Sequence, residues 1–185
     1  MGNLIYAANM SLDGYTEDAH GRFDWAPLND DVFAAITELM RSAGTYLYGR
    51  RMYETMAGWE TQPALATQSP LMSEYANVWR AAEKIVYSTT LADAPTQNTR
   101  LVRHFDADAI AALKREAQTD LIVGGPNLAA QAFSAGLIDE CHLLVWPVIL
   151  GGRNPALAAS TRRELTLVDE HRFANGVVHL RYAPA

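Results

Sequence analysis

The residues best placed to do chemistry in this 185-residue chain are small ones. Gly124-Gly125 stand between an apolar run, Leu121-Ile122-Val123, and a helical pattern over Leu128–Ala135. Strand, glycine pair and helix, in that order, let backbone N–H groups approach an anion, because glycine adds no Cβ and a helix start carries unpaired donors. Pro126 suits the first helical turn, where a missing N–H costs nothing. Asn127 and Leu128 would donate backbone groups there. The anion this arrangement fits best is the pyrophosphate of a dinucleotide. A glycine turn that only packs strand closely on helix is the plainer alternative. The segment has neither G-x-G-x-x-G nor a following Lys, so neither a Rossmann fingerprint nor a Walker loop is present.

A second pair, Arg50-Arg51, follows Gly49 where a helix is expected to begin. Cations at a helix start oppose its dipole and so call for an anion. A guanidinium forks onto phosphate in a way that an ammonium does not. Two solvated arginines are the alternative. Asp30-Asp31 are a third candidate, as acids, although they equally make an ordinary acidic helix start.

Composition narrows the chemistry. One cysteine, Cys141, leaves no intrachain disulfide and no Cys-cluster zinc site. It lies in an expected strand and reads as a buried, inert thiol. The five histidines make no H-x3-H or HExxH pair, so no catalytic metal is expected. A net charge of −6 without a basic block argues against nucleic acid as a main partner. No apolar run approaches the ~18–20 residues of a membrane span. The opening MGNLIYAANM has no cationic region before a long apolar one, and Tyr6 breaks a myristoylation motif. Cytoplasmic residence is the expectation.

These residues need elements to hold them. Strands are expected over 3–9, 45–48, 84–88, 99–104, 120–123 and 140–148. Helices are expected from about Asn29 or Asp30 to Ser42, from Gly49, and over 73–82, 107–118 and 128–135. Gly44 reads as a helix stop, Ser11–Leu28 as a long loop and 58–70 as an irregular connection. Leu165–Phe173 and Val177–Tyr182 flank Ala174-Asn175-Gly176, a hairpin signal. Alternating strands and helices followed by a hairpin give an α/β sheet with an antiparallel edge, in one domain over 1–185.

Four segments, in order and with plausible spacing over nearly the whole chain, resemble a known family. Ile5–Gly14 carries an S-x-D-G opening at Ser11, Asp13 and Gly14. Tyr48–Glu54 resembles a Gly-Arg-x-Thr helix start, Val123–Asn127 a late diglycine turn, and Pro147–Gly152 a P-x-x-L-G loop. Together they resemble the dihydrofolate reductase superfold. Within it they are closest to the reductase domain of the bifunctional riboflavin-biosynthesis deaminase/reductase and its stand-alone relatives. The resemblance implies a three-layer fold, with a mostly parallel central sheet, an antiparallel C-terminal hairpin and helices on both faces. The deaminase half needs a His/Cys zinc site, which one cysteine does not supply, so a stand-alone reductase is implied.

The same resemblance assigns residues. NADPH would lie against Ala8, Gly49, Gly124, Gly125, Pro126, Asn127 and Leu128, with Arg50 and Arg51 at its 2′-phosphate and Ser88-Thr89 at its adenosine. Met52 replaces the usual Thr. Asn9, Ser11, Asp13, Trp25, Leu150 and Gly151 would line the substrate cleft. Trp25 precedes Asp30 by five positions, the spacing of tryptophan and catalytic acid in dihydrofolate reductases, so Asp30 or Asp31 would orient a ring and assist protonation. His20 and Arg22 lie in the same loop as candidates for a phosphate. Trp146 falls near where relatives dimerise, and a homodimer is expected. The implied activity is hydride transfer from NADPH to a small acceptor: the ribosylaminopyrimidine of riboflavin synthesis, dihydrofolate, or another imine or carbonyl compound. A nucleotide-binding or sensory protein that kept the fold without the chemistry, and a ligand-free dimer module, are the rivals.

Overall fold

The apolar runs become the middle of the sheet. The computed structural model describes residues 1–157 and 162–185. β1 (Leu4–Ser11) lies at the centre between β6 (Asp120–Gly124) and β7 (Glu140–Trp146), parallel to both. β3 (Ala43–Gly49), β4 (Glu83–Tyr87) and β5 (Thr99–Val102) extend the parallel set beyond β6. β9 (Leu165–Arg172) and β10 (Val178–Pro184) add an antiparallel hairpin beyond β7. The order is β5-β4-β3-β6-β1-β7-β10-β9. Strands covered on both faces are apolar throughout, and Leu121-Ile122-Val123 fits that rule with all three residues buried. The Asn-Gly signal holds: Gly176 has φ +88°, a conformation glycine adopts freely, and its N–H donates to the Phe173 carbonyl.

One face is covered by α6 (Ala107–Glu116) and α7 (Pro126–Ser134), whose Ile110, Leu128, Ala132 and Phe133 meet Leu4, Tyr6, Val123 and Leu143. The other is covered by α1 (Asp30–Ser42), α2 (Arg50–Met56) and α5 (Pro70–Ala81), which close Met40, Tyr53, Tyr75 and Trp79 over Ile5, Tyr46, Val86 and Ile122. Asn29 caps α1 by accepting from the Val32 N–H. Among the described residues, no helix is long and apolar enough to cross a membrane.

Three readings of the sequence are corrected. The Ser11–Leu28 loop contains β2 (Tyr15–Glu17), which pairs antiparallel with β8 (Arg153–Pro155) in a separate two-stranded ribbon. Strands this short carry no alternation to read. The connection 58–70 folds into two single turns, α3 (Gly58–Thr61) and α4 (Pro63–Ala66). Gly44 does not stop α1, because β3 begins directly at Ala43. Gly44 is a strand residue there, and its N–H donates to Thr119 Oγ1.

Candidate cofactor and substrate cleft

Strand register gathers the expected residues onto one edge of the sheet. Tyr48 lies beside Gly124, and Gly49 beside Tyr87. Asn9 lies beside Leu144, and Ser11 beside Trp146. The carboxyl ends of β4, β3, β6, β1 and β7 therefore form one rim, the place where open α/β sheets take ligands.

The diglycine turn is built for close approach. A Cβ on Gly124 would meet the Tyr48 ring at 2.8 Å and Met52 Cε at 3.3 Å, so only glycine fits. Gly125 has φ +92° and caps α7 without a side chain. The Ala129 N–H donates back to the Gly125 carbonyl, so the N–H groups of Asn127 and Leu128 precede the first helical bond. Leu128 is buried in the core, and Asn127 is exposed. Pro126 opens the helix as expected. Met52 Cβ lies 3.6 Å from where a Gly125 Cβ would stand. The methionine's added reach lies at its far end: Met52 Cε packs against Gly124, a contact that a shorter hydroxyl side chain would not make. Beside it, Gly49 has open space where a Cβ would project. Ala8 packs half-buried against the core under α7.

Both arginines reach the same rim, each beside a carboxylate. Arg51 Nη2 pairs with Glu17 Oε1 of the ribbon at 2.9 Å. Arg50 donates to Thr90 Oγ1 at 3.3 Å and lies 3.9 Å from Glu54. The Ser88 hydroxyl is used locally, accepting from the Thr90 and Leu91 N–H groups, and Thr89 is exposed. Arg103, which the motifs did not signal, donates to the Ser88 and Leu91 carbonyls and fixes this turn.

Among the residues expected to line a substrate cleft, several serve the protein itself. Ser11 is buried, and its Oγ accepts from the Tyr15 N–H at 3.0 Å. Asp13 accepts from the Leu150 and Gly151 N–H groups at 3.0 and 2.8 Å. Hydrogen bonding from Ser11 first, then from these amides, holds its carboxyl at about 2, well below the ordinary range. Asp13 therefore clamps the loop after β7 to the turn after β1. Trp146 Nε1 donates to Asn9 Oδ1 at 2.9 Å, and Trp25 stands edge-on to Trp146. Trp25 Nε1 donates to the Thr16 carbonyl. Asn9 and Trp25 thus join the rim through Trp146. Asp30 and Asp31 are exposed in the first turn of α1. Arg22 binds Asp18, and His20 is exposed. Cys141 is buried, and burial alone pushes its thiol up to about 12, consistent with an inert group.

Residues 3–179 match the family described as RibD C-terminal domain. The chain is 26% identical over 181 residues to YyaP of Bacillus subtilis (strain 168), an uncharacterized protein, covering 97% of this chain and 93% of that one. A provisionally named riboflavin biosynthesis protein from Shewanella sp. PV-4 superposes with a TM-score of 0.77 at 21% identity, covering 100% of this chain and 99% of that one. The diaminohydroxyphosphoribosylaminopyrimidine deaminase/5-amino-6-(5-phosphoribosylamino)uracil reductase of Thermotoga maritima superposes with a TM-score of 0.67 at 14% identity, covering 100% of this chain and 57% of that one. At these identities the two structural likenesses speak for the fold.

Proposed function

The chain belongs to the RibD C-terminal domain family, and on that premise we propose that it is an NADPH-dependent reductase of a small pteridine- or ribosylaminopyrimidine-like acceptor. The observation that carries this reading is the meeting of two turns. Met52 packs the start of α2 onto Gly124-Gly125 and leaves the backbone of Gly49 and Gly125 accessible between them. That is the shape a pyrophosphate needs. Gly49, Gly124, Gly125 and the N–H groups of Asn127 and Leu128 would hold it, with Ala8 beneath. Arg50 and Arg51 would take the 2′-phosphate, and the Ser88-Thr89 turn the adenosine. When bound, the cofactor supplies a hydride.

The protein contributes position. Asn9, fixed by Trp146, and Trp25 wall the acceptor side, while the Asp13 clamp sets the loop carrying Leu150 and Gly151. Holding donor and acceptor at near-attack distance is the main catalytic work such a site does. Asp30 or Asp31, exposed in the first turn of α1, would assist protonation beside the hydride acceptor. A homodimer is part of the reading: β9 is an edge strand, with Leu167 and Val168 about half exposed.

The test is titration of purified protein with NADPH and NADH, read by tryptophan fluorescence. The expected result is a micromolar Kd for NADPH, about −8 kcal/mol, with NADH weaker. NADPH oxidation is then screened with ribosylaminopyrimidine, dihydrofolate and simple imine or carbonyl acceptors. Folded protein that binds neither nucleotide would remove the reductase reading. Binding without turnover of any acceptor would favour a protein that kept the fold as a nucleotide sensor.

A further inference from the structure

The β2–β8 ribbon is closed by bonds between its own two strands and anchored to the sheet through β1. Tyr6 donates its hydroxyl to the Ala156 carbonyl at 2.6 Å from within the core. Thr16 Oγ1 donates to the Asn154 carbonyl, and the Ala156 N–H to that of Gly14. Its attachment to α2 is different. Among the described residues, the ion pair between ribbon and α2 is Glu17 with Arg51. The two partners are unequally placed: the Glu17 side chain is 14% exposed and that of Arg51 60%. Glu17 is seated at the foot of the tight Asp18–Arg22 turn, which closes through Asp18 N–H to the Arg22 carbonyl. The turn's own cation, Arg22, is held by Asp18. A fixed carboxylate therefore meets a long cation that solvent still reaches.

We propose that Glu17 is a resident competitor for ligand phosphate at Arg51, and so a residue that sets cofactor selectivity. The inference rests on the reading that NADPH binds at this rim. A phosphate arriving at Arg51 must displace the Glu17 carboxylate or share the guanidinium with it against like-charge repulsion. A dianion outcompetes the monoanion for Arg51, whose guanidinium is open to solvent and can turn from the fixed carboxylate. NADH brings no 2′-phosphate and leaves the pair intact. The ribbon then loses its one ionic link to α2 only when the phosphorylated cofactor is present.

The opposite role, Glu17 as a group that aims Arg51 at the phosphate, predicts the opposite sign. Both are tested by measuring Kd for NADPH and NADH at low salt with the wild-type protein, Glu17→Gln, Arg51→Ala and the double variant. Glu17→Gln keeps the size and hydrogen-bonding capacity of the side chain, and thermal melting checks that each variant is folded. The expected result is that Glu17→Gln tightens NADPH about fivefold, leaves NADH nearly unchanged, and has no effect once Arg51 is Ala. Unchanged or weakened NADPH binding in Glu17→Gln overturns the proposal, as does an equal gain for NADH or an equal gain in the Arg51→Ala background. If none of the folded proteins binds NADPH, the cofactor reading falls and the competitor falls with it. If the wild type binds and Glu17→Gln matches it, the competitor alone is lost.

Discussion

The glycines at the amino edge of the sheet are closely packed, as are Gly124 and Gly152 at the carboxyl edge, but the other glycines of the carboxyl edge do the opposite. At the amino edge, a Cβ on Gly2 would run into the Thr119 carbonyl, and one on Gly44 into the Thr119 hydroxyl. Those glycines let the chain close on itself. At the carboxyl edge, Gly49 and Gly151 have nothing within 4 Å of a Cβ, and Gly125 has only Met52. Those glycines leave the backbone uncovered. The amino edge also holds a cavity of about 750 Å³ between α1 and α5, lined by Arg41, Gly44, Glu74 and Asn77. Arg41 and Glu74 pair with each other there. The candidate cleft rests on open backbone at helix starts, not on volume.

The comparison breaks most sharply at Gly2. Gly2→Ala forces a methyl against backbone that cannot rotate away, and should cost about 3 kcal/mol, as overpacking does. Urea denaturation checks it, and the folded fraction should keep its Kd for NADPH. A stability change below about 0.5 kcal/mol would mean that the amino edge yields more than its contacts suggest. At the other edge, Arg50→Ala with Arg51→Ala should leave melting nearly unchanged and weaken NADPH about 30-fold, on the scale of one or two charge-assisted hydrogen bonds. NADH should weaken far less. Equal losses for both nucleotides would remove the 2′-phosphate assignment.

The two edges were not equally legible in the sequence. The diglycine turn, Arg50-Arg51 and Asn175-Gly176 combine residue type with position along an apolar pattern, and such signals are local. The parallel centre of the sheet and its antiparallel hairpin followed from them. The ribbon did not, because Tyr15–Glu17 and Arg153–Pro155 are each three residues long and pair through backbone and through the Thr16–Asn154 bond, which spans 138 positions. The groups that complete the site were hidden for the same reason. Glu17 meets Arg51, and Arg103 meets Ser88, only after folding. Ser11 and Asp13 were legible as a motif, but their type did not reveal that their side chains are spent holding the turn.

Lys84 sharpens the contrast through pH. It lies in β4 near the amino edge, fully buried, and its Nζ donates to the Trp79 and Arg80 carbonyls at the end of α5. Burial pulls its pKa from 10.5 down to about 8. Between those values the unfolded chain binds more protons than the fold, so stability should rise with pH; below about 8 both states are charged and the burial penalty stands in full. The gain from about pH 7.5 to 9.5 should be about 1–2 kcal/mol. Lys84→Met should abolish this slope in urea titrations. The window closes above about pH 10, where unfolded tyrosines ionise while buried Tyr48 resists, which lowers stability again. NADPH affinity should not follow the Lys84 profile, since the lysine faces the other end of β4.

The smallest effect discriminates best. Gly49 has φ −75° and ψ 165°, which alanine adopts without strain, and open space where the methyl would go. Losing a glycine N-cap costs less than about 1 kcal/mol, so Gly49→Ala should fold and melt almost as the wild type does. If the rim between Gly49 and Gly125 receives a pyrophosphate, that methyl takes part of its place, and NADPH and NADH should weaken together by about fivefold, on the order of 1 kcal/mol. The double arginine variant acts on one nucleotide and Gly49→Ala on both, which separates backbone approach from phosphate pairing. A Gly49→Ala protein that binds NADPH as tightly as the wild type would show that the open backbone there faces only water. The distinction between the two edges would then rest on Gly125 and the start of α7.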